Sequence, residues 1–355
     1  MYIRTQGEME LINKVKAEFL KIGFSNEQIS KLIGSRQNRT DTKIPFLYTD
    51  IQKRFKEFQK IFSKYTVAQK DIYDILSQGL LFSQLPSALD NLLTFVAEKG
   101  VSPELFLKKL STTSNGCYVL GMPPSKIKKN IMQMGEALKD YNISEKKWIE
   151  LSFKRPSLLR LTASYILGNL KKMDAFLADY GFDEKDLVKA AKLNPSVFDK
   201  DAETLIAKTK EMFAFIKKYH IEPKEWIRAS LKVPQLLYHD PKHLQEHIEF
   251  YQNMFQKKLF VFAKKPDADS TYLMRYLLTS PQALCFSKEN LMLRERFARF
   301  LIEKNAFLES SHSKTGIPNF SLWATDIAII LSIFLRFIDD PPYEIKIMLN
   351  MITYL

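Results

Sequence analysis

Cations recur in register along this chain. Lys70, Lys146, Lys185 and Lys224 share one position of a repeating pattern, and Lys31, Lys108, Lys189, Arg228 and Arg275 stand four residues further on in theirs. Lys154 and Lys232 lie another four residues on. Helical residues four apart stand one above the other, so the cations of one segment share a face. Such a column pairs with phosphates, each neutralised duplex phosphate adding roughly 0.9 to the salt slope. It breaks no bonds. The net charge of +13 points the same way, towards polyanionic partners. Glu150 and Asp74 interrupt the pattern. A lysine in a helix's first turn also opposes that helix's dipole, so the cations nearest the N-termini need an explanation other than helix stability. The dipole alone accounts for Lys218, Lys257 and Lys304, near C-termini. Arg155 and Arg160 flank a proline; Asn194 and Val233 replace Arg155 in neighbouring segments, so Arg155 marks a local contact.

The other chemistry-bearing residues say less. His243-Leu244-Gln245-Glu246-His247 fits an H-x-x-E-H zinc pattern, with His239 one turn upstream. Yet Leu244 stands at an apolar position of the repeat, and Tyr165 and Thr204 replace His243 elsewhere. There is no phosphate-cradling glycine loop, nucleophile elbow or CxxC, and Cys117 and Cys285 are far apart. No catalysis, metal or cofactor is expected. Trp148 and Trp226 share the position of Leu187 and Leu273, which reads as core rather than as a base-stacking surface.

The elements that carry the cations follow from the prolines. Pro156, Pro195 and Pro234 are 39 residues apart, and each precedes an apolar pair: Leu158-Leu159, Val197-Phe198, Leu236-Leu237. Pro281 with Ala283-Leu284 repeats this after a slippage of eight residues. Counted from Ile143, Phe182, Ile221 and Ala268 as unit starts, the cations fall at positions three, seven and eleven. Apolar residues three, four and seven apart on either side of the proline predict two helices, each with one buried stripe. Ser144 and Asp183 are placed to cap the first helix. The proline ends it, because proline inside a helix loses a hydrogen bond and clashes with the preceding turn. One hairpin cannot bury its own apolar face, whereas stacked neighbours can, so the fold expected is an all-α curved solenoid of about seven repeats.

Gly23-Phe24, Thr66-Val67 and Gly100-Val101 read as three earlier, degenerate unit starts, with Pro45 late and Pro123-Pro124 after a polar loop, Thr112 to Gly116. The organisation expected is 1–140 degenerate repeats, 141–303 well-formed repeats, and 304–355 a loop, Ser310 to Asn319, followed by capping helices. The helix 320–338 is apolar enough to dock a protein partner. Its longest uncharged run, Ile327 to Leu335, is too short for a transmembrane segment, which needs about 20 residues.

Lys154-Arg155-Pro156-Ser157-Leu158-Leu159 and Lys232-Val233-Pro234-Gln235-Leu236-Leu237 resemble the repeat of the mitochondrial transcription termination factor (mTERF) family. The resemblance covers 141–302 closely and 22–140 loosely. It implies a non-catalytic helical solenoid whose basic concave face binds double-stranded DNA or structured RNA, and a role in transcription. Octotricopeptide repeats are the rival, through Glu222-Pro223-Lys224-Glu225-Trp226. A protein-binding scaffold and a host-directed bacterial effector are the alternative functions. Organellar members begin with acid-poor presequences, whereas Met1 to Lys21 carries Glu8, Glu10 and Glu18. A soluble protein of a reducing compartment is expected: bacterial cytoplasm, host cell or organellar matrix.

Overall fold

The computed structural model describes residues 6–34, 51–77, 85–256, 270–279, 281–289 and 291–292. Among them every regular element is a helix. The chain forms two compact units, Met1–Asn169 and Leu170–Leu355. The first holds α1 (Gln6–Lys21), α2 (Asn26–Gly34), α3 (Ile51–Lys64), α4 (Gln69–Ser77), α5 (Pro86–Glu98), α6 (Pro103–Ser111), α7 (Ser114–Leu120), α8 (Pro124–Ala137) and α9 (Glu145–Lys154). The division falls inside α10 (Ala163–Ala178). The second holds α11 (Glu184–Leu193), α12 (Ser196–Asp199), α13 (Ala202–Ile216), α14 (Pro223–Lys232), α15 (Pro241–Gln256) and α16 (Ser270–Thr279). Pro45, the side chains of Lys70 and Cys117, and everything proposed for 304–355 lie outside the described residues.

The helices alternate between two rows, as a stack of hairpins requires. In the first unit α2, α4, α6 and α9 pack in succession, and α1, α3, α5 and α8 do likewise. In the second, α11, α14 and α16 form one row, while α13 and α15 pack in the other. Each helix joins its row because its apolar stripe has nowhere else to go. In α3 the buried residues are Ile51, Phe55, Phe58 and Phe62, which fall on one face. Trp148 and Trp226 are fully buried, as expected of core residues.

Local signals set the helix ends. Ser144 Oγ accepts from the Lys147 amide at 3.2 Å. Asp183 accepts from the Asp186 amide at 3.0 Å, and the Asp186 carboxylate accepts from the Asp183 amide at 3.3 Å, a reciprocal cap. Pro156, Pro234 and Pro281 open short 3₁₀ turns, Pro156–Arg160, Pro234–Tyr238 and Pro281–Cys285, and Pro195 caps α12. The apolar pair after each proline is buried. Thr112 to Gly116 is not simply a loop. It leads into α7, whose start is held by the Gly116 amide donating to Thr113 Oγ1 at 3.0 Å. The sequence conceals this because the fit depends on the absence of a side chain: a β-carbon on Gly116 would lie 2.0 Å from the Leu110 carbonyl oxygen.

One feature recurs at six hairpin starts among the described residues. Gly23, Thr66, Gly100, Asn142, Gly181 and His220, each one residue before a unit start, have φ between 52° and 100°. At each, the next amide reaches back five residues to a carbonyl: Phe24 to Phe19, Val67 to Phe62, Val101 to Val96, Ile143 to Leu138, Phe182 to Leu177, Ile221 to Ile216, at 3.1–3.4 Å. A second bond runs from the left-handed residue's own amide to the carbonyl three residues back. This is the Schellman closure, in which the last carbonyls of a helix are satisfied and an apolar residue is pressed onto the helix it leaves. Phe24 meets Phe19 edge to face at 5.2 Å.

Two substitutions test this account in opposite directions. Gly116→Ala should destabilise the first unit by about 1–3 kcal/mol through overpacking, seen as a lower urea midpoint. Thr66→Gly should stabilise by about 0.5–1 kcal/mol, since a β-branched residue at positive φ is strained and glycine is not. A lower midpoint for Thr66→Gly would contradict the assignment of strain there.

Candidate nucleic-acid interface

The first helices of the hairpins carry the cations, and the two units hold separate sets. In the first unit Lys31 (α2), Lys108 (α6), Lys146 and Lys154 (α9) are exposed on three members of one row, and Arg155 is half-buried where α9 ends. Lys31 pairs with Glu27 at 2.8 Å. In the second unit Lys185 and Lys189 (α11), Lys224, Arg228 and Lys232 (α14) and Arg275 (α16) are exposed. At position eleven of α11 the cation is replaced by Leu193, which is 59% exposed. No ion pair within 4 Å engages Lys185, Lys189, Lys224, Arg228 or Lys232 among the described residues.

The cations near the helix N-termini have a neighbour that the sequence does not reveal. A β-carbon on Gly100 would lie 3.7 Å from Lys146 Nζ, and one on Gly181 would lie 3.2 Å from Lys224 Nζ. Arg275 Nη2 donates to the His220 carbonyl at 3.2 Å. Each of these cations therefore rests on a left-handed turn, at the negative end of a neighbouring second helix. The dipole of their own helix opposes Lys146 and Lys224, which stand in its first turn, but that of the neighbour favours all three.

The proline turns add contacts of another kind. Arg160 lies over the ring of Tyr118 at 4.6 Å, and Lys200 over Tyr238 at 5.5 Å. Tyr118, Arg160 and Tyr238 hold the same place, seventeen residues into their units. Register comparison would have shown that, but only the packing of α7 against the turn Pro156–Arg160 pairs Arg160 with Tyr118. The Tyr238 hydroxyl also accepts from Asn194 Nδ2 at 3.2 Å and lies 3.1 Å from Ser196 Oγ.

The histidines pack on one another at tilted and edge-to-face angles. His247 is buried, with Nδ1 2.8 Å from the His243 carbonyl and Nε2 2.6 Å from the Phe286 carbonyl, so both ring nitrogens are engaged. His243 packs on His247 at 4.4 Å and on His239 at 5.2 Å, while Leu244 is fully buried. Among the described residues no three His, Cys, Asp or Glu side chains are spaced to hold a metal ion. Burial, with repulsion from His243 and His247, pushes His239 down to about 4. Burial also lowers His243, against the opposing pull of Glu246 and Asp240. Burial raises the Cys285 thiol to about 12, which makes it a poor nucleophile.

Residues 18–258 match the family model for mTERF. The chain belongs to the mTERF family. That span runs from the end of α1 to just past α15 and takes in both sets of cations except Arg275. The match favours mTERF over the octotricopeptide reading. mTERF proteins are helical-repeat proteins that bind nucleic acids and are generally non-catalytic. No protein with a curated description matches the chain. No helix among the described residues is long and apolar enough to cross a membrane.

The histidine cluster has a signed consequence for stability. His239 binds a proton less readily folded than unfolded, so stability is full above its ordinary value near 6.5 and is lost as pH falls towards about 4. Acid should weaken the second unit by about 2 kcal/mol between pH 7 and pH 4.5. Urea midpoints across that range check this, and His239→Phe should flatten the dependence.

Proposed function

We propose that this mTERF protein grips the phosphate backbone of double-stranded DNA or structured RNA with the cations of its first helices, and thereby pauses, terminates or otherwise modulates transcription, with no chemistry of its own. The observation that carries this reading is the column on α14. There Arg228 and Lys232 stand four residues apart, both exposed and both without an ion-pair partner among the described residues, beyond Lys224, which rests on the Gly181 turn. On α11, Lys185 and Lys189 repeat the arrangement. Like charges four apart destabilise a helix by a few tenths of a kcal/mol per pair. Asp186 and Glu225 stand three residues before Lys189 and Arg228 but form no ion pair with them among the described residues, which leaves these cations open to a polyanion. Family membership supports the same class of partner. Phosphate contacts carry no base information, so the cation columns do not themselves specify a target sequence.

A salt titration of filter binding with duplex DNA, duplex RNA and single-stranded probes tests the proposal. Affinity should fall steeply with salt, and Lys189→Glu, Arg228→Glu and Lys232→Glu together should abolish binding with helicity intact. Binding that ignores salt, or a triple variant of unchanged affinity, would rule these helices out as the phosphate contact.

A further inference from the structure

A donor from the following first helix meets the left-handed turn in four places. At Gly23 it is a phenol: Tyr73 Oη, from α4, donates to the Ile22 carbonyl at 3.1 Å. At Gly100 and Gly181 it is an ammonium, Lys146 from α9 and Lys224 from α14. At His220 it is the guanidinium of Arg275, from α16, bonded to the turn's own carbonyl. The Schellman closure satisfies two carbonyls and leaves the last ones facing outward, at the negative end of the helix. Glycine leaves room for the lysines, since a β-carbon on Gly181 would stand at 3.2 Å from Lys224 Nζ. Where the turn residue is His220, the cation comes instead from position seven, on a longer and branched side chain.

We propose that two classes stand apart among the first-helix cations. Lys146, Lys224 and Arg275 are positioning residues that fasten each first helix to the turn entering its predecessor, as Tyr73 does without charge. Phosphate is held by the cations that show no such neighbour among the described residues: Lys108, Lys154, Lys189, Arg228 and Lys232. The second half of the inference rests on the phosphate-binding reading above; the first half does not. The fasteners fix the lateral spacing of the first helices, and so the spacing of the cations that grip. A lysine already favoured by a helix end gains less from a phosphate. An exposed one without that neighbour gains more.

The test compares Lys146→Met with Lys224→Met, which keep the stem and lose the charge, against Lys189→Gln, Arg228→Gln and Lys232→Gln. The methionine pair should lower the melting temperature by about 2–4 °C at low salt. That gap should close as salt screens the dipole, and arginine at both positions should restore the wild-type value. Its duplex-binding salt slope should stay within one unit of wild type. The glutamine triple should melt no lower than wild type, and its slope should drop by roughly 2.7. A methionine pair with unchanged melting and a slope lower by roughly 1.8 would overturn the division. Wild-type protein that binds no duplex at low salt would sink the phosphate assignment, leaving the melting comparison to judge the fasteners alone. Should the methionine pair not fold, Lys224→Met alone carries the same comparison.

Discussion

Every second helix whose end is described, from α1 to α13, runs into a left-handed residue, and the architecture depends on that constraint. The backward hydrogen bond of the following amide turns the chain and seats an apolar residue on the helix just completed. Without that turn the next first helix would leave in another direction, and its stripe would find no partner. With it, every hairpin starts from the same geometry, and the two rows of helices within each unit follow. Three of the six turns pay for this with a non-glycine residue at positive φ, namely Thr66, Asn142 and His220. Their recurrence at one register shows how little latitude the stack allows there.

The proline turns meet the complementary demand between the two helices of a hairpin. Proline ends the first helix, and the 3₁₀ turn drops two apolar side chains into the core, such as Leu158-Leu159 and Leu236-Leu237. Backbone groups freed by the break are recovered locally: the Leu158 amide donates to the Arg155 carbonyl, and the Leu236 amide to that of Val233. Polar links reach between hairpins as well, as where Asn130 Nδ2 donates to the Leu159 carbonyl at 2.9 Å. The core is therefore continuous within each unit, while the charged residues are left on the outer faces of the first helices.

Much of this was legible in the residues. The hairpins show because proline has one steric meaning, and because Ser144 and Asp183 are efficient caps wherever they stand. The buried tryptophans show because register comparison sets them beside Leu187 and Leu273. The left-handed turns show at the glycines and more faintly at Asn142 and His220, residue types that tolerate that region; Thr66 carries no such signal, since its conformation is imposed by the closure and not preferred by the residue. α7 is hidden for a similar reason, resting on a contact only a bare Gly116 permits. At the candidate interface the register of the cations is visible, but not that Lys146, Lys224 and Arg275 rest on a neighbour's turn. That contact joins residues more than forty positions apart, and no local pattern encodes it.

The left-handed turns recur at unequal intervals: 43, 34, 42, 39 and 39 residues separate Gly23, Thr66, Gly100, Asn142, Gly181 and His220. The array is thus indexed by its corners and not by residue count, and extra chain, such as α7, is taken up between them. Within each unit, successive first helices pack directly on one another whether 34 or 43 residues separate their corners. Insertions between corners can therefore accumulate over evolution without altering the contact between one first helix and the next.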